Sequence, residues 1–228
     1  MLVTTEGSYF GIILTGVVVL IFLGVLIYKL KFGRDSIEVN LRGKAYKRIS
    51  DYADGDNATL VGTVDFLDKP LISPLTGYKC CMYRIEVYED SDGDQQNLSS
   101  FKEEVIPFVI RNGKEAALVF TSQSLIDVNM DTVDQTGLFK GLSPKVESYI
   151  LAQGVTTKGM LGFRKTFTVK EGLIERREKV AVTGYGHWRA ASDYKIKTGS
   201  GKVLVIQSDG NNPVYISDAL TALRPFKR

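Results

Sequence analysis

The chain has 228 residues, 44% hydrophobic and 24% charged, with a formal net charge of +3. Those proportions are ordinary for a globular protein and exclude a disordered chain, an acidic tail or a strongly basic nucleic-acid binder. Two cysteines, Cys80 and Cys81, and one histidine, His187, cannot supply four ligands for a closed zinc site, which excludes a zinc finger or RING.

From Gly7 to Tyr28 the sequence GSYFGIILTGVVVLIFLGVLIY carries no charge over 22 residues. As a helix this stretch is about 33 Å long at ~1.5 Å per residue, the thickness of a bilayer core. A transmembrane helix is therefore predicted over residues 9–30, with Tyr9 and Tyr28 at the two interfaces. A cleaved signal peptide begins basic and ends at small residues, whereas here Glu6 is the only charge in the first ten residues and YKLKFGR follows the core. The anchor is expected to be uncleaved and single-pass. Lysine and arginine are absent from the first 28 residues, while Lys29, Lys31, Arg34, Arg42, Lys44, Lys47 and Arg48 follow directly. That asymmetry places residues 1–8 outside a cell (inner) membrane and the C-terminal domain in the cytoplasm. Gly11, Gly16 and Gly24 lack the four-residue spacing of a strong helix-pairing face, so an oligomer is left open.

Residues 31–54 read as a juxtamembrane linker, with IEVNL as a short strand and AYKRI as a helical turn. Strand signals then crowd the sequence over 55–228: ATLVGTVDFL (58–67), CCMYRIEVYE (80–89), SFKEEVIPFVI (100–110), EAALVF (115–120), RKTFTVKEGLI (164–174), EKVAVTGYGHW (178–188), KVLVIQ (202–207) and PVYIS (213–217). Asn112-Gly113 is a hairpin turn. SDGDQQNLSS (91–100) reads as an exposed loop. One helix is expected after Ser143, with Pro144 at its first position, Val146, Tyr149 and Ile150 on one face, and Gly154 at its end. DALTAL (218–223) reads as a further helical turn. The fold class is therefore mainly β (α+β): a transmembrane helix, then an antiparallel barrel or sandwich with one or two short helices. Gly62 and Gly184 each sit inside a strand, where a barrel bends or a backbone comes close.

The chemistry-bearing residues are sparse. His187 in GYGHW has no accompanying nucleophile pattern, and the chain has no G-x-S-x-G, P-loop or H-E-x-x-H. EDSDGD (89–94) alternates carboxylates with a glycine but lacks the bidentate glutamate of a calcium loop, and it reads as a solvated hairpin tip with Asp90, Asp92 and Asp94. Asp51, Asp54, Asp56 and Asp65 form a second acidic group. Arg164, Lys165, Lys170, Arg176, Arg177 and Lys179 are interleaved with Glu171, Glu175 and Glu178, a mixture that makes an ordinary charged hairpin rather than a nucleic-acid groove. Strict alternation along 80–89 puts Cys81 with Tyr83, Ile85 and Val87 on a buried face and Cys80 outward beside Met82 and Arg84.

DKPLISPLTGYKCCMYRIEVYED (68–90) followed by EEVIPFVIRNG (103–113) resembles the GIDE-type, or beside-a-membrane (BAM), domain of mitochondrial membrane-anchored ubiquitin ligases and their prokaryotic relatives. The matching residues are Gly62, Pro70, Ser73, Pro74, Gly77, Cys81, Tyr83, Pro107, Phe108 and Gly184. The resemblance implies structural roles for them and a domain beside a membrane. The second transmembrane helix and zinc-binding RING of the ligases have no counterpart here, so ligase activity is not implied. The sequence thus points to a membrane-anchored, non-catalytic interaction or scaffold protein with no catalytic, metal or cofactor site, contacting lipid through its anchor and a protein through its domain. The alternative is a membrane-tethered enzyme or small-ligand sensor using a groove of the β domain.

Overall fold

The computed structural model describes residues 14–21, 23, 34–91, 95–136, 140–159 and 163–225. Most of the uncharged 7–28 stretch lies outside them, and among the described residues no helix is long and apolar enough to cross a membrane. Residues 14–21 and 23 are helical, with apolar side chains that are 48% exposed at Val17 and 71% at Leu20.

Five strands close into a barrel: β1 (Asn57–Phe66), β5 (Phe108–Asn112), β6 (Glu115–Val119), β10 (Lys179–Ala190) and β11 (Lys202–Gln207). The ring runs β1–β5–β6–β11–β10 and back to β1, antiparallel except where β11 lies parallel to β6. This is a five-stranded Greek-key barrel of the OB kind. Closure depends on β1, which pairs with β10 over Asn57–Thr63 and with β5 over Thr63–Phe66. Its glycine makes the crossing possible, since a Cβ on Gly62 would collide with Ile110 Cγ2. Gly184 is hemmed in the same way by Ile206 and Gln207, so both strand glycines mark close backbone approach, as their sequence positions suggest. Leu60, Val64, Ile110, Val119, Leu204 and Ile206 fill the barrel interior. β12 (Val214–Ser217) pairs antiparallel with β10 over Ala181–Thr183, and β7 (Ser124–Asp127) lies parallel beyond it.

A second sheet is inserted between barrel strands. Its members are β2 (Leu71–Ile72), β3 (Lys79–Ser91), β4 (Gln95–Val105), β8 (Asp131–Gln135) and β9 (Thr166–Glu175). β3 lies between β4 and β9, β8 flanks β9, and β2 pairs with the start of β3. Helix α2 (Pro144–Ala152) covers one face, where Val146 and Ile150 meet Val87, Phe167 and Val169. Met82 and Ile174, on the other face, join the barrel core.

Several expectations need correction. The expected linker is folded from Arg34 onward: IEVNL lies in helix α1 (Arg34–Gly43), where Ile37 and Leu41, four residues apart, are buried against Ala181 and Ala222, while Val39 is exposed. A strand would have put all three on one face. Ile49, in a 3-10 turn at Ile49–Asp51, and Tyr52 also enter the core. The run 100–110 is two strands in two sheets, because Pro107 has no N–H for a ladder and the chain changes sheets there. Ile106 makes the last bond, its N–H to the Cys81 carbonyl at 2.9 Å. The supposed loop 91–100 is strand from Gln95 onward, and Asp92 and Asp94 lie outside the described residues. In the β5–β6 hairpin Asn112 pairs with Glu115, which makes Gly113-Lys114 the turn, with Gly113 at φ +63°.

Cys80 is buried, not outward. Cys81 is a bulge between Cys80↔Glu175 and Met82↔Ile174. One extra residue reverses the alternation, so Cys80 joins Tyr83, Ile85 and Val87 while Cys81 points with Met82 into the barrel core.

Candidate functional site

The elbow between β2 and β3 is built around one hydroxyl. Ser73 Oγ accepts the N–H groups of Leu75 and Thr76 at 3.2 and 3.1 Å. Pro74 fixes the first step of the turn, and Gly77 closes it at φ +80°, donating its N–H to the Ser73 carbonyl at 3.0 Å. The Ser73 N–H in turn reaches the Tyr78 carbonyl at 2.9 Å. These local bonds leave the Ser73 hydroxyl proton free to leave the turn, and it is donated to Glu171 Oε1 on β9.

Glu171 is 3% exposed, in the inward phase of β9 with Phe167, Val169 and Leu173. Its second oxygen, Oε2, is buried with no hydrogen-bond partner among the described residues, and the same is true of the Tyr149 hydroxyl on α2. Glu171 lines a cleft of about 260 Å³ between the inserted sheet and the edge of the barrel. Asp131, Glu175, Glu178 and Asp218 line it too, with Val133 and Leu173 as apolar floor and Thr76 and Tyr78 from the elbow. Burial pushes the Glu178 carboxyl above the ordinary carboxylate range, and the neighbouring Asp218 and Glu175 charges add to the rise. Asp218 is raised by burial as well, with Asp127 adding to it, although it accepts the Asn129 N–H at 2.9 Å. Protons are therefore retained there at higher pH than in water.

Of the motif residues, Ser73, Pro74 and Gly77 come together over Glu171, and Pro70 borders an adjoining groove with Gly77 and Arg176. Gly62, Phe108 and Gly184 belong to the barrel, and Pro107 marks the sheet change. Tyr83 packs beside Cys80 and donates its hydroxyl to Glu104 at 2.5 Å. Burial, with the Glu171 and Glu175 charges behind it, pushes the Cys80 thiol up to about 12. Burial first, then the Cys80 neighbour, lifts Cys81 further. Neither thiol is a nucleophile in this setting.

His187 Nδ1 stands 3.4 Å from Asp54 Oδ2, while the Trp188 N–H and indole N–H bond Asp54 and the Tyr52 carbonyl at 2.8 and 2.9 Å. The His-Trp pair thus pins the 52–54 turn to the barrel. The acidic group disperses: Asp56 pairs with Lys47 and Asp65 with Arg111 and Arg176. Arg84 bonds Glu103 and Lys165 bonds Glu89. Among the described residues no three His, Cys, Asp or Glu side chains converge to hold a metal ion. Sequence reasoning missed the cleft, yet one signal was present: a glutamate in the apolar phase of TFTVKEGLIE.

Comparison with protein-family models, curated proteins and solved structures finds no match to this chain.

Proposed function

We propose that the protein is a single-pass membrane protein whose β domain is a non-catalytic binding or scaffold module held beside the bilayer. The observation that carries this reading is the shortness of the tether. The uncharged stretch ends at Tyr28 and α1 begins at Arg34, and the five residues between them span at most about 18 Å when extended. α1 is fastened to the barrel by Ile37 and Leu41 and by the Thr59 hydroxyl, which donates to the Leu41 carbonyl at 2.5 Å. A domain so tethered stays close to the headgroups. The exposed apolar side chains of helical residues 14–21 suit a lipid surround, and the GIDE-type resemblance of 68–113 supports the same placement.

The basic residues after the anchor favour a cytoplasmic domain, and lipid contact comes through the anchor while recognition of a partner falls to the β domain. A second reading, a small-ligand sensor, is favoured by the carboxylate-lined cleft alone.

Alkaline carbonate extraction tests the anchor: the full chain is expected to stay with the membrane and a chain lacking residues 1–30 to be released. Release of the full chain overturns the reading. Orientation is tested at Leu220→Cys, since Leu220 is 78% exposed whereas both native thiols are buried and give little background. Labelling by a membrane-impermeant reagent in intact cells would overturn the cytoplasmic placement.

A further inference from the structure

Helix α1 and the turn 218–223 share one cluster on the outer face of the sheet, beside β10, β12 and β7. Ile37, Leu41, Ala181 and Ala222 are buried there, and Ala219 and Leu223 pack against them. Val39 is two positions from both Ile37 and Leu41, so it points away from the cluster, and it is 60% exposed. Leu220, between Ala219 and Ala222, is turned outward in the same way and is 78% exposed. The Tyr46 hydroxyl donates to the Ala222 carbonyl at 2.8 Å and lies 3.1 Å from the Arg224 carbonyl, which fastens the turn to the chain that leaves α1.

The free charge of this face has one sign. Lys44 and Arg224, on either side of the Tyr46 bond, are exposed and have no acidic partner among the described residues. The described carboxylates of the same elements are engaged elsewhere: Glu38 holds Arg42 at 2.6 Å, and Asp218 is buried and accepts the Asn129 N–H. Outward apolar side chains flanked by unpaired cations suit an anionic bilayer surface, where the tips enter the headgroup layer and the cations meet phosphates.

The tether brings this face, before any other, to such a surface. The five residues between Tyr28 and Arg34 span at most about 18 Å, and α1 adds about 8 Å from its first residue to Val39. Val39 therefore lies within about 26 Å of the end of the uncharged stretch, whichever way the domain turns. The other exposed apolar side chains, such as Leu98 and Phe101 on β4 and Phe163 ahead of β9, belong to the inserted sheet and carry no such bound.

We propose that Val39, Leu220, Lys44 and Arg224 form the face on which the β domain rests against an anionic lipid bilayer, the one that its own anchor crosses. The inference rests on the membrane-anchored reading and adds which side of the domain meets lipid and the charge of that lipid. Two apolar side chains and two cations make a weak contact, which the tether populates by holding the domain at high local concentration. The contact opens and closes, so Leu220 stays reachable from water.

The test uses the full chain reconstituted in phosphatidylcholine vesicles with and without phosphatidylglycerol. An environment-sensitive dye is placed in turn at Val39→Cys, Leu220→Cys and Phe163→Cys, all exposed positions, against buried native thiols. Nitroxide lipid labelled at the top of its acyl chain should quench the dye at 39 and 220 well beyond that at 163, and more so with phosphatidylglycerol present. Lys44→Glu combined with Arg224→Glu should lower the contact equilibrium, read from the quenched fraction, by about tenfold or more.

Equal quenching at all three positions, or quenching indifferent both to phosphatidylglycerol and to the charge reversals, overturns the proposal. A dye at 220 that is blue-shifted but not quenched means that protein covers the face, and overturns it too. Flotation of the same vesicles separates this failure from that of the anchor. A chain that floats without quenching at 39 and 220 keeps its anchor and lacks the contact, whereas a chain that does not float has lost the anchor and the inference with it.

Discussion

The barrel and the inserted sheet bury their interiors with different chemistry. The barrel interior is filled by Leu60, Val64, Ile110, Leu204 and Ile206, so its stability comes from apolar area and close packing. The inserted sheet sets Ser73 and Glu171, 2% and 3% exposed, at the edge of a cluster of Phe167, Val169 and Ile150. A polar pair in such a place contributes little net stability and costs more when half of it is removed. The contrast separates an apolar barrel from an inserted sheet that carries a buried polar pair at its edge. It also explains why the motif residues divide as they do, with Gly62, Phe108 and Gly184 serving closure and Ser73, Pro74 and Gly77 serving the cleft.

The largest effect is expected in the barrel. Leu60→Ala removes a fully buried side chain and should cost about 2–5 kcal/mol by chemical denaturation. Ser73→Ala should cost about 1–3 kcal/mol, because it strips Glu171 Oε1 of its donor and the Leu75 and Thr76 N–H groups of their acceptor. A cost near that of Leu60→Ala would mean that the inserted sheet is as integral to folding as the barrel.

Cys80→Ser and Cys81→Ser should each cost about 1–3 kcal/mol, since each puts a hydroxyl into an apolar site. Strict alternation along the strand would have spared Cys80, so equal sensitivity of the two is the signature of the bulge.

A smaller effect is set by pH. Glu178 and Asp218 have raised folded-state values, so at these two groups the folded state holds protons more tightly than the unfolded one. Their contribution is complete below about pH 4, near the unfolded carboxyl values, and is lost as pH rises through the folded ones. Glu178→Gln should therefore raise stability at neutral pH and flatten that decline, read from denaturation midpoints across pH. The opposite trend holds on the far side of the cleft sheet. Burial works against ionisation of Asp134, but the Ser143 N–H, accepted at 2.7 Å, and Lys140 outweigh it and hold the carboxyl low. Its contribution is present above about pH 4 and lost as pH falls through the folded value. The smallest change is expected at His187→Ala, within about 0.5 kcal/mol, because the residue meets Asp54 only at the surface.

The barrel was the more legible region. KVLVIQ at 202–207 is β11 as read, and the glycines of β1 and β10 announced close approach because only a residue without a Cβ fits there. The helix at 144–152 was legible from Pro144 and the Val146–Ile150 spacing, although its N-terminus is held by Asp134 through the Ser143 N–H rather than by a Ser143 side-chain cap. The inserted sheet was harder to read. The bulge at Cys81 depends on pairing with β9, which local sequence does not encode, and β7 and β8 are short strands whose partners are remote in sequence. Glu171 was passed over as part of a charged hairpin because its burial is created by Ser73, 98 residues away. Ile37 and Leu41 carried a helical spacing that was available but outweighed by the β-branched look of IEVNL.

Hydrogen exchange of the full chain, parent against Ser73→Ala, tests the division between scaffold and cleft most directly. Faster exchange is expected over the 73–78 elbow and β9, with β1, β10 and β11 unchanged. Equal acceleration across those barrel strands would contradict it, because the inserted sheet and the barrel would then open as one unit.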